Sequence, residues 1–294
     1  MHRKPTIFKP LGQSFDQSLA IIANANKPTS SSFTARPFLK WVGGKRSILP
    51  ELVKRLPETY GKYHEPFLGG GALYFNIQPK SASISDVNFH LIITFKVVKE
   101  NVDQLIFNLK LHAKNHSKEY YLKARERLFT EEDPIHIAGL FIYLNKTCYN
   151  GLYRVNKSGG FNVPMGSYKN PAILDEENLR YASQVLQNTT IKQHDFLHEK
   201  ITKGDFYYID PPYHQAYSGY SGQGFAEREH RSLADFCHKI HKKGAFFMLS
   251  NSNTEFVREL FKAYNKEKVL ASRSVNCKGN GREKQHELII RNYG

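Results

Sequence analysis

The sequence predicts an α/β protein: a mainly parallel sheet interrupted by one long, mostly helical insertion that carries a hairpin. Three observations predict it. Short apolar runs of strand character alternate with helix-spaced segments towards both ends of the chain. The strand candidates end in glycine- or acid-bearing loops, where parallel sheets place their ligands. The stretch from about Lys96 to Thr190 breaks the alternation.

Residues 1–36 read as a tail, because Asn24 to Thr34 is rich in Asn, Ser and Thr and has no sustained period. That composition suits a mobile or partly ordered lead-in, with an arm that binds nucleic acid as the alternative. From Ile48 to Leu56, apolar Ile48, Leu49, Leu52, Val53 and Leu56 share one side of a helix, with Lys54 and Arg55 opposite. Tyr63 to Phe67 reads as a strand that runs through Leu68-Gly69-Gly70-Gly71 into a helix beginning near Ala72. Ala82 to Asp86 is a second strand with an acid at its end, and Phe89 to Leu111 is helical at mixed spacings of three and four. Lys114 to Arg127 is rich in Lys, Arg, Glu and Tyr, and Ile135 to Tyr143 is apolar. Between Asn145 and Tyr168, the turn signals Asn150-Gly151 and Ser158-Gly159-Gly160 predict a hairpin or extended loop. After about Ile191 the rhythm returns, with strands at Phe206–Ile209, Ala245–Leu249 and Glu287–Ile290 and a helix at Arg231–Lys242. The expected organisation is therefore a tail (1–36), a sheet domain (37–95 with 191–294) and an insertion (96–190).

At 294 residues the chain has room for one large domain with an insertion. Lys and Arg number 42 against 27 Asp and Glu, a surplus of +15 that favours a polyanionic partner. On charge alone, a ribosome-associated or merely basic protein is the competing reading. Cys148, Cys237 and Cys277 are far apart and show no C-x-x-C spacing. A cysteine-only zinc site is excluded by count and a disulfide framework is disfavoured, so no metal and a reduced, cytoplasmic location are expected. No apolar run approaches the ~18 residues that span a bilayer, and Leu19–Ala23 is too short for a signal core.

The sharpest chemical feature is Asp210-Pro211-Pro212-Tyr213, directly after the apolar strand candidate. An aromatic exocyclic amine is a poor nucleophile, because its lone pair is delocalised into the ring. A carboxylate and a backbone carbonyl can each accept one of its N–H bonds, stabilising the charge that develops as a methyl group arrives. The prolines aim that carbonyl at fixed φ, and Tyr213 offers a face for an extruded base. An ordinary strand-ending turn is the alternative.

The loop Glu65-Pro66-Phe67-Leu68-Gly69-Gly70-Gly71, with Asp86 at the next strand end, suits an adenosyl cofactor whose ribose meets the acid. No G-x-G-x-x-G is present, which disfavours a dinucleotide, and a tight packing turn with a surface aspartate competes. Lys40-Trp41-Val42-Gly43-Gly44-Lys45 is not a P-loop, since Leu39 stands where glycine is needed and Arg46 follows Lys45. Lys45 can still reach a cofactor carboxylate; Trp41, the one tryptophan, either borders the cofactor or anchors the core. Cys148 to Arg154, running on to Phe161–Pro164, interleaves aromatics with cations on a glycine-bearing loop. That suits base-edge contact and insertion into a duplex, or a solvated hairpin packed on itself.

Taken together, these segments resemble the Dam-type DNA adenine-N(6) methyltransferases of bacteria and phages. The resemblance rests on an ordered set: Phe38–Lys45, Glu65–Gly71, Asn150–Arg154 with Phe161–Pro164, Asp195-Phe196, Asp210–Tyr213, Leu249–Ser252, Lys278–Arg282 and Glu287–Ile290. It covers about Phe38 to Tyr293. It implies a Rossmann-like S-adenosylmethionine-dependent methyltransferase domain with an inserted target-recognition domain, acting on an adenine flipped from double-stranded DNA, typically within GATC. By the resemblance, Trp41, Lys45, Asp86 and Asp210 contact S-adenosylmethionine or its pocket, together with Glu65, Pro66, Phe67, Gly69 and Gly71. Asp195, with Phe196 beside it, holds the cofactor adenine. Asp210, Pro211, Pro212 and Tyr213 form the catalytic motif. Lys40 and Arg154 read guanines, while Tyr149, Asn150 and Leu152 enter the duplex. A monomer and a restriction-modification role are expected. Methylation of an RNA base or a protein amide is the alternative. The solid triple glycine departs from the family's Phe-x-Gly-x-Gly but keeps both required glycines, and the N-terminal tail is longer than in compact members.

Overall fold

Runs of aromatic and branched residues form strands that stop where proline, glycine or an acid interrupts them. In the computed structural model, which describes residues 35–156, 159–214, 225–271 and 285–294, seven such strands form one sheet. They are β1 (Tyr63–Glu65), β2 (Ala82–Asp86), β3 (Thr189–Gln193), β4 (Phe206–Ile209), β5 (Phe246–Ser252), β6 (Asn265–Ala271) and β7 (Gln285–Arg291). Their order is β3-β2-β1-β4-β5-β7-β6. The first five run parallel, and β7 lies antiparallel between β5 and β6. The expected mainly parallel α/β sheet is therefore present. β1 and β4 are buried along their whole length, as central parallel strands must be. The chain order reverses between these two strands, so the loops leaving their carboxyl ends diverge and open a crevice.

The helices are α1 (Leu49–Val53), α2 (Ala72–Ile77), α3 (Phe89–Glu100), α4 (Val102–Lys114), α5 (Lys118–Arg127), α6 (Pro134–Thr147), α7 (Glu176–Leu186), α8 (Glu227–Lys242) and α9 (Glu255–Leu260). The single helix expected from Phe89 to Leu111 is two, parted at Asn101 with φ −135°. The mixed spacing of its apolar residues belonged to two faces. The strand expected to reach Phe67 ends at Glu65, because Pro66 has no N–H for the ladder. The helix predicted from Ile48 to Leu56 shrinks to α1, preceded by a 3₁₀ turn over Lys45–Ser47. Polar edge strand β6, with α7, α9 and β3, lacked a clear periodic signal.

α6 is the axis of the middle segment. It starts at Asp133, whose carboxylate accepts the His136 N–H, and packs against α3, α4 and α5. Beyond it the expected hairpin or extended loop is a narrow loop pinned by two antiparallel bridges, Cys148 with Met165 and Val155 with Phe161. The expected limits of the insertion, 96 and 190, fall inside α3 and β3. Apolar cores cover both faces of the sheet: Phe38, Tyr74, Phe75 and Phe95 lie in one, Tyr207, Leu233, Phe236 and Phe247 in the other. Cys148 and Cys237 are free thiols. Residues 1–34 of the tail, Ser158, Cys277 and the Lys278–Arg282 segment lie outside the described residues.

Candidate active site

β4 projects Asp210 into the crevice, and the 3₁₀ turn at Lys45 brings a buried ammonium to meet it. Lys45 Nζ lies 2.7 Å from Asp210 Oδ2, donates to Gly43 O at 2.6 Å, and stands 4.7 Å from the centre of the Tyr213 ring. Asp210 Oδ1 is buried and has no hydrogen-bond partner among the described residues. An orphaned carboxylate oxygen is costly, so its presence marks a place for a donor group. Burial pushes the Asp210 carboxyl up to about 6, with Lys45 opposing the shift and Glu287 adding to it; the group stays ionised at neutral pH. Pro211 is buried and Pro212 exposed. Tyr213 donates its hydroxyl to Glu287 Oε2 at 2.8 Å, and burial pushes its phenol well above the usual range. The end of the motif is tied to β5: Asn251 Oδ1 accepts the His214 N–H at 3.3 Å, and Ser252 Oγ donates to His214 O at 2.9 Å.

The loop after β1 supplies the neighbouring wall. Gly69 has φ +48°, and a Cβ there would sit 2.7 Å from Trp41 Cδ1 and 2.8 Å from Nε1. Only glycine lets this backbone pass so close to the indole. Trp41 stacks in turn on Tyr153, centroids 6.2 Å apart, so it is wall and anchor at once. Gly71, with φ +67°, begins α2. Asp86 Oδ2 accepts the Gly69 N–H at 3.1 Å and Oδ1 that of Asn88 at 3.0 Å, so the acid pins the glycine loop. Burial raises its carboxyl, and these backbone donors resist the rise. Glu65, buried beside Pro66, accepts the Tyr63 hydroxyl at 2.7 Å; burial pushes its carboxyl up to about 8. Asp195 accepts the Leu197 N–H at 2.9 Å, and Phe196 is buried against Phe67 at 5.1 Å. The close approach at Gly69 is taken up by Trp41, and the buried, unpartnered Asp210 oxygen is what leaves an acceptor for an incoming donor group.

Lys40 and the loop from Tyr149 to Arg154 meet beside Trp41 and at Asn145. Asn145 clamps them: its Oδ1 accepts the Lys40 N–H at 2.8 Å, and its Nδ2 donates to Lys40 O at 2.7 Å and Gly151 O at 3.1 Å. Lys40 is exposed and rests its Nζ 4.1 Å from the Tyr168 ring centre. Tyr149 and Asn150 are exposed, Asn150 at φ +52°, while Leu152 is half-buried. Arg154 donates through Nη2 to Asn162 O at 2.6 Å, but its Nε is buried without a partner.

Sequence reasoning missed three contributors. Asn145 was read only as loop, Glu287 only as strand. Arg36, Arg46 and Lys146 line a cleft of about 430 Å³ with Asp175, and their separation in the chain hid the cluster. Burial, then Lys40, Arg46 and Arg36, lower the Lys146 ammonium to about 8, with Asp175 opposing. No group of three or more His, Cys, Asp or Glu among the described residues is placed to hold a metal. No helix among them is long and apolar enough to cross a membrane.

Known proteins resemble this chain over most of its length. The family described as "D12 class N6 adenine-specific DNA methyltransferase" matches residues 41–275. Type II methyltransferase M1.LlaDCHI of Lactococcus lactis subsp. cremoris is 40% identical over 272 residues, 88% of this chain and 96% of the relative. Type II methyltransferase M.MjaIII of Methanocaldococcus jannaschii is 42% identical, covering 88% and 99%. The DNA adenine methylase of Haemophilus influenzae is 34% identical, covering 86% and 92%. The chain belongs to the D12 class of N6 adenine-specific DNA methyltransferases. Its reaction is therefore methyl transfer to adenine in DNA.

Proposed function

We propose that the methyl donor is S-adenosylmethionine and that the acceptor is an adenine flipped out of duplex GATC. The observation that carries this reading is Asp210: Lys45 holds one carboxylate oxygen and leaves the other buried and unpartnered. Asp210 Oδ1 and the Pro211 carbonyl accept the two N–H bonds of the target amine and stabilise the charge it acquires. Tyr213, fixed by Glu287, and Pro212 frame the ring. S-adenosylmethionine, when bound, supplies the electrophilic methyl group. Trp41, Glu65, Pro66, Phe67, Gly69, Gly71, Asp86, Asp195 and Phe196 line its adenosyl and ribose side, and Lys45 with Asp210 its reactive end. The sheet with its flanking helices forms the catalytic domain, and the segment between α3 and β3 forms the recognition insertion, in place of the expected limits 96 and 190. Lys40 and Arg154 read guanines, Tyr149, Asn150 and Leu152 enter the duplex, and Arg36, Arg46 and Lys146 hold backbone phosphate. The enzyme acts as a cytoplasmic monomer, as the modification partner in a restriction-modification pair; relatives named Type II methyltransferases support that role.

Labelled S-adenosylmethionine offered to GATC duplexes, scrambled duplexes, RNA and protein tests the reading. Label recovered as N6-methyladenine in GATC alone supports it. Label in other DNA sequences removes the specificity and keeps the chemistry, and label only in RNA or a protein amide overturns the acceptor.

A further inference from the structure

We infer that Glu199 is a positioning residue for the methyl-donor site: its carboxylate ties the strand end carrying Asp86 to the turn carrying Asp195 and Phe196. This rests on the proposed donor-binding roles of those residues. Glu199 follows the 3₁₀ turn Phe196–His198 and is buried, with its side chain 1% exposed. Its Oε1 accepts the Ser85 hydroxyl at 2.9 Å and pairs with His194 Nε2 at 2.8 Å. Ser85 immediately precedes Asp86 on β2, and His194 immediately precedes Asp195. One oxygen thus fixes the neighbours of both donor-facing acids, across 114 residues of chain.

A buried carboxylate is expensive, and an apolar residue in this place would be cheaper for folding alone. The charge is instead surrounded by directed partners. Oε2 lies 3.9 Å from both His64 Nδ1 and Lys192 Nζ, and makes no hydrogen bond among the described residues. His64 is itself locked, with Nε2 at 2.8 Å from Asp205 Oδ2 and its ring stacked 4.3 Å from that of Tyr207. The brace therefore draws on β1, β2, β3 and β4, while Glu199 is absent from every contact of the proposed chemistry. Its effect falls on where Asp86 and Asp195 stand relative to each other, which a donor held at both ends senses directly.

Calorimetric binding of S-adenosylhomocysteine to the full chain tests this, beside duplex affinity and the KM and kcat for the methyl donor. Loss of a directed hydrogen bond predicts about five- to tenfold weaker binding for Ser85→Ala and more than about tenfold for Glu199→Leu. Glu199→Gln keeps an acceptor at Oε1 and should restore affinity to within about threefold. KM should rise with the dissociation constant while kcat at saturating donor and duplex affinity hold. Wild-type binding by both Ser85→Ala and Glu199→Leu, with Asp195→Ala weakened, overturns the brace alone. Equal losses of donor and duplex affinity in Ser85→Ala also overturn it, because they indicate a general structural role. No effect of Asp86→Ala or Asp195→Ala overturns the donor-site reading beneath it.

Discussion

Two carboxyl groups at the carboxyl ends of neighbouring strands meet burial with different outcomes. Asp210 has Lys45 at 2.7 Å and remains ionised at neutral pH, whereas Glu65 is pushed up to about 8 and is mainly protonated there. Burial dominates for Glu65, partly offset by the Tyr63 hydroxyl and made worse by nearby Asp210. Because its folded pKa is raised above the unfolded one, protonation of Glu65 favours the fold. That contribution is fully present below about 4.5 and is lost as pH rises through about 8. Glu65→Gln, a neutral isostere, should therefore lose less stability than wild type between pH 7 and 9, a difference on the order of 1 kcal/mol or more. Thermal unfolding of both proteins across that range checks it; parallel curves would show that Glu65 does not titrate there. At this scale the sequence was informative where chemistry is concentrated. Asp210 and Tyr213 stand in one tetrapeptide, and Lys45 closes a recognisable run. Glu287, the partner of Tyr213, comes from a strand 74 residues away and looked like ordinary sheet.

Local rules governed the elements unevenly. β2 and β4 match their predicted limits because each is a short, buried run with clear ends. The first four residues of β6 are polar, with Asn265 and Lys268 exposed and Lys266 and Glu267 partly buried, so they show no period-2 apolar pattern from which the pairing with β7 could be read. The recognition loop was legible as turns and aromatics but not as a clamp, since Asn145 joins Lys40 to Gly151 only in three dimensions. Gly151 is the critical position of that loop. It has φ +64°, and a Cβ would lie 2.4 Å from Lys40 Cβ, an atom with no freedom to move aside. Gly151→Ala should cost about 1–2 kcal/mol from the left-handed backbone alone and displace Lys40. Unfolding curves and methylation of GATC against single-base variants check this; unchanged stability and discrimination would remove Gly151 from the account.

Across the whole molecule, the surplus of +15 has two distinct uses. Cations that touch phosphate strengthen binding to every sequence, while those that touch base edges select among sequences. If Lys146, in the cleft with Arg36 and Arg46, holds phosphate as proposed, Lys146→Ala should weaken all duplexes alike and reduce the salt slope by about 1. If Arg154, tethered to Asn162 through Nη2, reads a base edge as proposed, Arg154→Ala should cost ~1–3 kcal/mol at one base pair. Affinity titrations over a salt series and over single-base variants separate the two; a uniform loss for Arg154→Ala would make it a phosphate contact. The order of the sheet, with its reversal between β1 and β4, sets the glycine loop after β1 beside Asp210 after β4 at one crevice. The sequence implied that convergence only through the resemblance, because no single segment encodes strand order.

The most direct test of the central claim is methyl transfer to a GATC duplex by Asp210→Ala, with duplex affinity measured in parallel. Loss of transfer with affinity kept within a few-fold is predicted, because Asp210 Oδ1 is the proposed acceptor for the target amine. Near-normal turnover would contradict it and place the chemistry elsewhere.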